Sequence, residues 1–387
     1  MNTVYSIHIS IFGIIMSIGF DNSILEKFFL EVSKQKLLVP LWPTEDSISY
    51  YDQTLLPFEL KQCIAYSPND LTNAIRSMQI RGSGAIGCAG AFGAALAVFS
   101  APHDPQQWLK LTESLRTARP TAVILEKAVD EVLTEARKHP EDSIKIASNV
   151  AVAFFLRQLE MERTIGEYGQ KLIPDGSTIL THCNSGALAG AGYGGRALSV
   201  IRAAMEAGKK IQVIAQETRP YLQGARITAW ELDQLHIPVK LASDGMSAAL
   251  MQKNLVNVCI VGSDRIAANG DLINKVGSCL IALAAREYGV PFYSVTTFYN
   301  VDLLCPDGMS VPIEMRSGKE LLSINGHLIT LPTFEGIYPS FDITHASLIS
   351  GIITEKGVLF PPYHSKLVNL VKGKVLCSIN IQNDCNY

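Results

Sequence analysis

The chain has 387 residues, 48% of them hydrophobic and 18% charged, with a formal net charge of -3. That length favours two or three folding units, and the composition fits a compact soluble enzyme better than a disordered or fibrous protein. With no run of Lys or Arg, the charge balance argues against broad nucleic-acid binding, whereas a small anionic ligand needs only a few placed cations.

The first apolar run, Ile7–Phe20 (IHISIFGIIMSIGF), has the length of a secretory core, but no Lys or Arg precedes it and no Ala-x-Ala site follows. It is short for a bilayer span. The expectation is an N-terminal strand, or an extension upstream of a natural start near Met16, and no membrane partner. ISYYDQTLLP (48–57) mixes polar and apolar residues as a short hairpin does. Residues 22–165 otherwise read as helical, with Ala-rich segments such as GCAGAFGAALAVF and LEKAVDEVLTEARK.

Within this half, Arg81-Gly82-Ser83-Gly84-Ala85-Ile86-Gly87 precedes an Ala-rich helix. Small residues let the backbone approach a ligand, a helix N-terminus suits a phosphate, and Arg81 offers a bidentate contact. No convincing strand precedes the motif, so the Gly82, Gly84, Gly87 spacing does not make a dinucleotide fingerprint. Arg119, in TARPTAV, is a lone cation ahead of a helix, for which solvated surface is the default. A domain boundary is expected near Gly166–Gly176, dividing residues 1–170 from 171–387.

Beyond it, strand-like TILTH, IQVIA, PVKLA, VNVCIVG and PFYSV alternate with helical segments. These are SVIRAAMEAGKK, RPYLQGARITAWELDQL, a short one around Met246–Gln252, and NKVGSCLIALAAREYG. Such alternation predicts an α/β fold with a doubly wound parallel sheet, whose ligands bind beyond the carboxyl ends of the strands. Three strand ends carry chemistry. Cys183, in Thr181-His182-Cys183-Asn184-Ser185-Gly186, is either a thiolate favoured by a following helix N-terminus or a small packed residue. Gln216-Glu217-Thr218-Arg219-Pro220 with Gln223 opens a helix with Pro220 in its first turn, and Glu217 and Arg219 either pair with each other or meet a ligand. Asp264 is either a helix cap or a carboxyl group in a partly dry cleft, its pKa raised by desolvation and opposed by Lys275. The loop after it delivers Asn274 and Lys275 to the start of a new helix. Residues 300–340 are loop-rich and are expected to cover the site; the last 25 or so carry no usable signal.

The eight cysteines form no CxxC pair or regular framework, and the histidines are equally dispersed. A reducing compartment, no structural zinc and no metal site are the expectation.

Together these segments resemble the methylthioribose-1-phosphate isomerase family of aldose–ketose isomerases. They also resemble its relatives, the ribose-1,5-bisphosphate isomerases and the regulatory subunits of translation initiation factor 2B. NSGALAGAGYG, ETRPYLQGARITAWEL and GSDRIAANGDLINKVG carry the likeness, which runs from about Tyr50 to Tyr363. The resemblance implies a cytoplasmic homodimer with a smaller N-terminal domain and a Rossmann-like C-terminal domain, acting on a sugar 1-phosphate without metal or cofactor. It implies catalysis by Asp264 and Cys183 and substrate binding by Arg81, Gly82, Ser83, Arg119, Gln223, Asn274 and Lys275. The activity so implied converts 5-methylthioribose 1-phosphate to 5-methylthioribulose 1-phosphate in methionine salvage. Ribose 1,5-bisphosphate, 5-deoxyribose 1-phosphate and a noncatalytic regulatory role are the alternatives, and an NAD-dependent oxidoreductase is a further one that predicts nicotinamide binding. RGSGAIG departs from the family's Arg-Gly-Ala-Pro-Ala-Ile-Gly, GSDR from Gly-Ala-Asp-Arg, and Ile124 stands where an Asn is usual. Thr181-His182-Cys183 and Ile313-Glu314-Met315-Arg316 look more like the bisphosphate branch, GALAGAGYG and DRIAANGD more like the methylthioribose branch.

Overall fold

A computed structural model describes residues 19–33, 37–119, 123–324 and 326–377. The apolar run Ile7–Phe20 therefore lies outside the described residues except for Gly19 and Phe20, as does Met16. The first half holds α1 (Asn22–Ser33), a sheet of β1 (Leu41–Pro43), β2 (Ile48–Tyr51) and β3 (Gln62–Ala65), then α2 (Pro68–Arg76), α3 (Ser83–Ser100), α4 (Pro105–Arg116), α5 (Val123–Lys138) and α6 (Ser143–Gly169). The expected hairpin at 48–57 is not one: β2 is the middle strand of three and pairs antiparallel with both β1 and β3. Its partners lie outside the segment, beyond the reach of a local pattern.

Helix α3 is the axis of this half. Every residue from Gly84 to Phe99 is buried, so a helix long and apolar enough to cross a membrane is here a core helix. Its small residues let neighbours come close: a Cβ on Gly90 would lie 3.0 Å from the Leu125 carbonyl oxygen of α5. Aromatic rings of Phe28, Phe92 and Phe155 pack the seam between α1, α3 and α6.

From Thr178 the chain alternates. β4 (Thr178–Thr181), α7 (Ala197–Glu206), β5 (Gln212–Gln216), α8 (Ala229–Gln234), β6 (Val239–Ala242), α9 (Ser247–Gln252) and β7 (Val258–Val261) are followed by β8 (Arg265–Ala267), β9 (Leu272–Lys275), α10 (Ser278–Glu287) and β10 (Phe292–Val295). Short strands β11 (Val301–Asp302), β12 (Met315–Arg316), β13 (Ser323–Ile324), β14 (His327–Leu328) and β15 (Tyr338–Pro339) lead to β16 (Phe341–Thr344), β17 (Gly351–Thr354), β18 (Gly357–Leu359) and α11 (His364–Cys377).

The large sheet runs β18-β17-β10-β7-β4-β5-β6, parallel except for the antiparallel edge strand β18. β4 and β7 are buried along their whole length, as strands covered on both faces must be. The chain winds from β4 outward through β5 and β6, then returns to β7 on the other side of β4. Strand order thus reverses between β4 and β7, the position where such sheets open a crevice beyond their carboxyl ends.

One expectation is corrected here. Asn274 and Lys275 do not start a helix; they end β9, which pairs with β8 and β16 in a second sheet, and α10 begins only at Ser278.

Candidate active site

Cys183 and Asp264 follow the two strands that flank the reversal. At the end of β4, the Thr181 hydroxyl donates to the Ile260 carbonyl of β7 at 2.8 Å, tying the two strand ends together. His182 is fully buried, which depresses its pKa and keeps the ring neutral. Its Nε2 faces the Val276 carbonyl at 2.8 Å and so carries the proton. Gly277 makes room for the ring: a Cβ there would lie 2.9 Å from His182 Cε1.

Cys183 adopts φ 64, a left-handed conformation costing about 1–3 kcal/mol in a non-glycine residue. Two bonds hold it, from its N–H to Thr218 Oγ1 at 2.8 Å and from Thr228 Oγ1 to its carbonyl at 2.7 Å. Its sulfur accepts from Gln223 Nε2 at 3.2 Å. The helix N-terminus expected beside it is absent, because a single turn at Ala187–Ala189 follows and α7 starts only at Ala197.

Asp264 is not a helix cap either. Its N–H donates to the Ile273 carbonyl of β9, and its own carbonyl accepts from Asn300 Nδ2 at 3.1 Å. Burial pushes its carboxyl pKa upward, outweighing the opposing pull of Lys275, Arg81 and Arg119. Lys275 is depressed by the same burial while Cys183 and Asp264 favour its charge. Its ammonium lies 3.4 Å from the Tyr338 hydroxyl and 4.8 Å over the Phe341 ring. Strand alternation sends Asn274 to the other face, where its amide donates to Ser278 Oγ at 2.8 Å.

Arg81 crosses from the helical half. Its guanidinium donates to the Asn184 side chain and, at 3.0 Å, to the Asn184 carbonyl. Asn184 in turn donates to Glu231 Oε1 at 3.0 Å. The buried Glu231 carboxyl also accepts from the backbone N–H groups of Ala187 and Leu188, and desolvation pushes its pKa up to about 7. Beside Arg81, α3 starts with no side-chain cap, leaving its first N–H groups for an anion. Arg119 is not solvated surface; it is largely buried, with Nη1 2.8 Å from Met78 Sδ.

These groups share one partly open cleft. Arg81, Gly82, Ser83, Arg119, Cys183, Gln223, Asp264 and Lys275 line it; Asn274 does not. Sequence reasoning missed Met78, Ile86, Tyr221 and, from the 300–340 segment, Glu314, Arg316, Glu320, Tyr338 and Ser340. For the latter the sequence offers a loop-rich composition and, at Ile313-Glu314-Met315-Arg316, a family likeness without a site role. That segment is tied over the cleft by Arg219, which donates to the carbonyls of Leu321 and Ser323 at 2.9 and 3.2 Å rather than pairing with Glu217. Pro220 opens no helix; regular turns resume at Gly224. Three buried polar atoms on the cleft, Tyr221 Oη, Gln223 Oε1 and Ser340 Oγ, have no partner among the described residues. Unpaired buried acceptors and hydroxyls on residues that line a cleft suit a ligand rich in hydroxyl groups. The arrangement can hold an anion with cationic side chains, and it brings an acid of raised pKa and a thiol to the same cleft.

The family model described as "Initiation factor 2 subunit family" matches residues 79–361. The chain belongs to this family. Among its relatives is the methylthioribose-1-phosphate isomerase of Carboxydothermus hydrogenoformans, 41% identical over 337 residues, covering 85% of this chain and 98% of that protein. The enzyme of the same name from Nitratidesulfovibrio vulgaris is 45% identical over 321 residues, covering 81% and 91%. The fold is similar to that of a structure titled 5-methylthioribose 1-phosphate isomerase from Pyrococcus horikoshii, with TM-score 0.81 and 35% identity, covering 92% of this chain and all of that one. A structure titled translation initiation factor eIF-2B, subunit delta, from A. fulgidus matches with TM-score 0.78 and 35% identity, covering 87% and 99%.

Proposed function

We propose that the protein is an aldose–ketose isomerase converting 5-methylthioribose 1-phosphate to 5-methylthioribulose 1-phosphate. The observation that carries this reading is the convergence of Cys183 and Asp264, from the two strands at the sheet's reversal, on one cleft with Arg81, Arg119 and Lys275. The relatives' names give the substrate. In a furanose 1-phosphate the anomeric oxygen is esterified, so the ring cannot open by ordinary mutarotation. Asp264, whose pKa burial raises, donates a proton to the ring oxygen as the C1 to ring-oxygen bond breaks. The hydrogen at C2 then moves to C1 and the C2 hydroxyl loses its proton, which completes the ketose and restores the proton count. Cys183 assists at C1–C2, as a base in a proton-transfer route or by stabilising a hydride shift. Because C1 gains the hydrogen that C2 loses, no external oxidant is needed.

Arg81, Arg119, Lys275 and the start of α3 bind the phosphate; Gln223, Tyr221 and Ser340 meet the sugar hydroxyls. With this reading go a cytoplasmic homodimer and a Rossmann-like domain from about residue 171, as the family likeness implies. Incubating the protein with 5-methylthioribose 1-phosphate, 5-deoxyribose 1-phosphate and ribose 1,5-bisphosphate, and measuring the ketose formed, tests it. The highest kcat/KM is expected for the methylthio sugar. No turnover of any of the three, together with binding to initiation factor 2, overturns the proposal.

A further inference from the structure

We propose that Asn300 is a positioning residue for Asp264, fixing the main chain that carries the acid against the helical half of the molecule. The proposal rests on the isomerase reading above and names what sets the acid's place within it. Both backbone polar groups of Asp264 are tied, its N–H to the Ile273 carbonyl and its own carbonyl to Asn300 Nδ2 at 3.1 Å. Its neighbours lean on the same segment. Ser263 Oγ donates to the Val295 carbonyl at 3.1 Å, and Arg265 pairs with Asp302 at 3.1 Å. β8 and β11 extend this seam by pairing in parallel. The loop of the acid is thus stitched to residues 295–302, and Asn300 makes the stitch at the acid itself.

The direction of the Asn300 amide is set from behind. Buried Arg196 can only donate, and its Nη2 lies 3.5 Å from Thr297 Oγ1. The single hydroxyl proton of Thr297 then goes to Asn300 Oδ1, 3.1 Å away. That leaves the donor end of the amide for the Asp264 carbonyl, which can only accept. Thr297 and Asn300 are both buried, so the chain of bonds is shielded from solvent. The same turn, Phe298–Asn300, meets the helical half through Tyr299. The Tyr299 carbonyl accepts from Lys127 Nζ of α5 at 3.3 Å, and its hydroxyl from Arg157 Nε of α6 at 3.2 Å. Its ring packs on Phe154 of α6, with centroids 5.6 Å apart. Arg81 and Arg119 reach the cleft from that half, so one turn sets the acid relative to the cations that hold the phosphate. A misplacement of about 1 Å can cost about 10²-fold in rate.

The test is a double-mutant cycle on kcat for 5-methylthioribose 1-phosphate in the full chain, combining Asn300→Ala with Asp264→Asn. Alone, Asn300→Ala should lower kcat by about tenfold to a hundredfold, with KM within about twofold of wild type. In the Asp264→Asn background the same change should cost less than about twofold, because the residual turnover does not use the acid. A purely structural role would cost the same factor in both backgrounds, and that result overturns the proposal. Wild-type kcat in folded Asn300→Ala overturns it as well. If thermal melting shows that Asn300→Ala does not fold, Thr297→Val takes its place in the cycle. Valine keeps the shape of Thr297 and removes the hydroxyl that orients the amide. Full kcat in Asp264→Asn, or a wild type inactive on the methylthio sugar, overturns the acid or the isomerase reading instead, so the failures are distinguishable.

Discussion

Replacing Gly82 by Ala should damage both stability and turnover, because the residue sits where Arg81 and the start of α3 meet the Cys183 loop. Gly82 adopts φ 88 and ψ 139, a combination that L side chains rarely tolerate. A Cβ there would lie 2.3 Å from Ala189 Cβ, 2.5 Å from Ala189 Cα and 2.7 Å from Ala189 O. Ala189 cannot retreat cheaply. Its turn is held by Glu231, through the N–H groups of Ala187 and Leu188, and by Gln53, which donates to the Leu188 carbonyl at 2.9 Å. Backbone strain of about 1–3 kcal/mol and overpacking of a similar size give a loss of about 4 kcal/mol. Unfolding entropy is about 2.1 cal/mol/K per residue, so for 387 residues this lowers Tm by about 5 °C. Gly208→Ala is the control: its φ of +81 is also positive, but nothing lies within 4 Å of the added carbon. It should cost only about 1–2 kcal/mol. Thermal melting of both variants, with kcat/KM for the sugar phosphate, makes the comparison. Gly82→Ala should lose at least about tenfold in kcat/KM, the effect of about 1.4 kcal/mol on transition-state binding. Equal melting of the two variants, with unchanged kinetics in Gly82→Ala, would refute the reasoning.

Asp264→Asn should lower kcat by about 10²–10⁴ while KM changes little, since the amide copies the shape of the protonated acid but donates no usable proton. Because burial raises the Asp264 pKa, wild-type kcat should fall as pH climbs through that raised value, and the limb should vanish in the variant; activity within tenfold of wild type would exclude the acid role. Asn184→Ala strips Arg81 of its side-chain bond, leaving the bond to the residue 184 backbone carbonyl, and should raise KM for the sugar phosphate about tenfold, given that bonds to charged groups are worth about 1.5–3 kcal/mol; steady-state kinetics that match wild type would rule out this positioning role. Glu231 titrates near 7 folded against 4.5 unfolded, so its protonated form is favoured in the native state. Its contribution, about 3 kcal/mol, is fully present below pH 4.5 and lost as pH rises through 7. Denaturant unfolding across that window should show the slope, and Glu231→Gln should remove it; identical slopes would contradict the assignment.

The clearest legible features were those whose signal is local. Runs such as IQVIA and VNVCIVG, spaced by helical segments, announce buried strands in a parallel sheet, and β5 and β7 lie where they point. Cys183 and Asp264 stood out because strand ends are where such sheets place chemistry. Hydrogen bonds hold Cys183 in place of the expected helix N-terminus: its N–H donates to Thr218, and Thr228 and Gln223 donate to its carbonyl and sulfur. Those three residues come from a different strand-to-helix connection, and no pattern around Cys183 reveals them.

By itself, then, the sequence determined the alternating strand and helix order and the residue types at the strand ends, because periodic apolar burial is written in neighbouring residues. Only the tertiary structure decided which of them meet. NKVGSCLIALAAREYG carries helical signals, yet Asn274 and Lys275 are strand because they pair with Asp342 and Phe341, hydrogen bonds that local propensity cannot encode. Once they are strand, the two-residue period turns Lys275 into the cleft and Asn274 away from it. Arg81 reaches the site from the helical half, and Glu314, Arg316 and Ser340 from a loop-rich segment tied down by Arg219. Their convergence depends on contacts between residues far apart in the chain, and those contacts exist only after the two halves have packed.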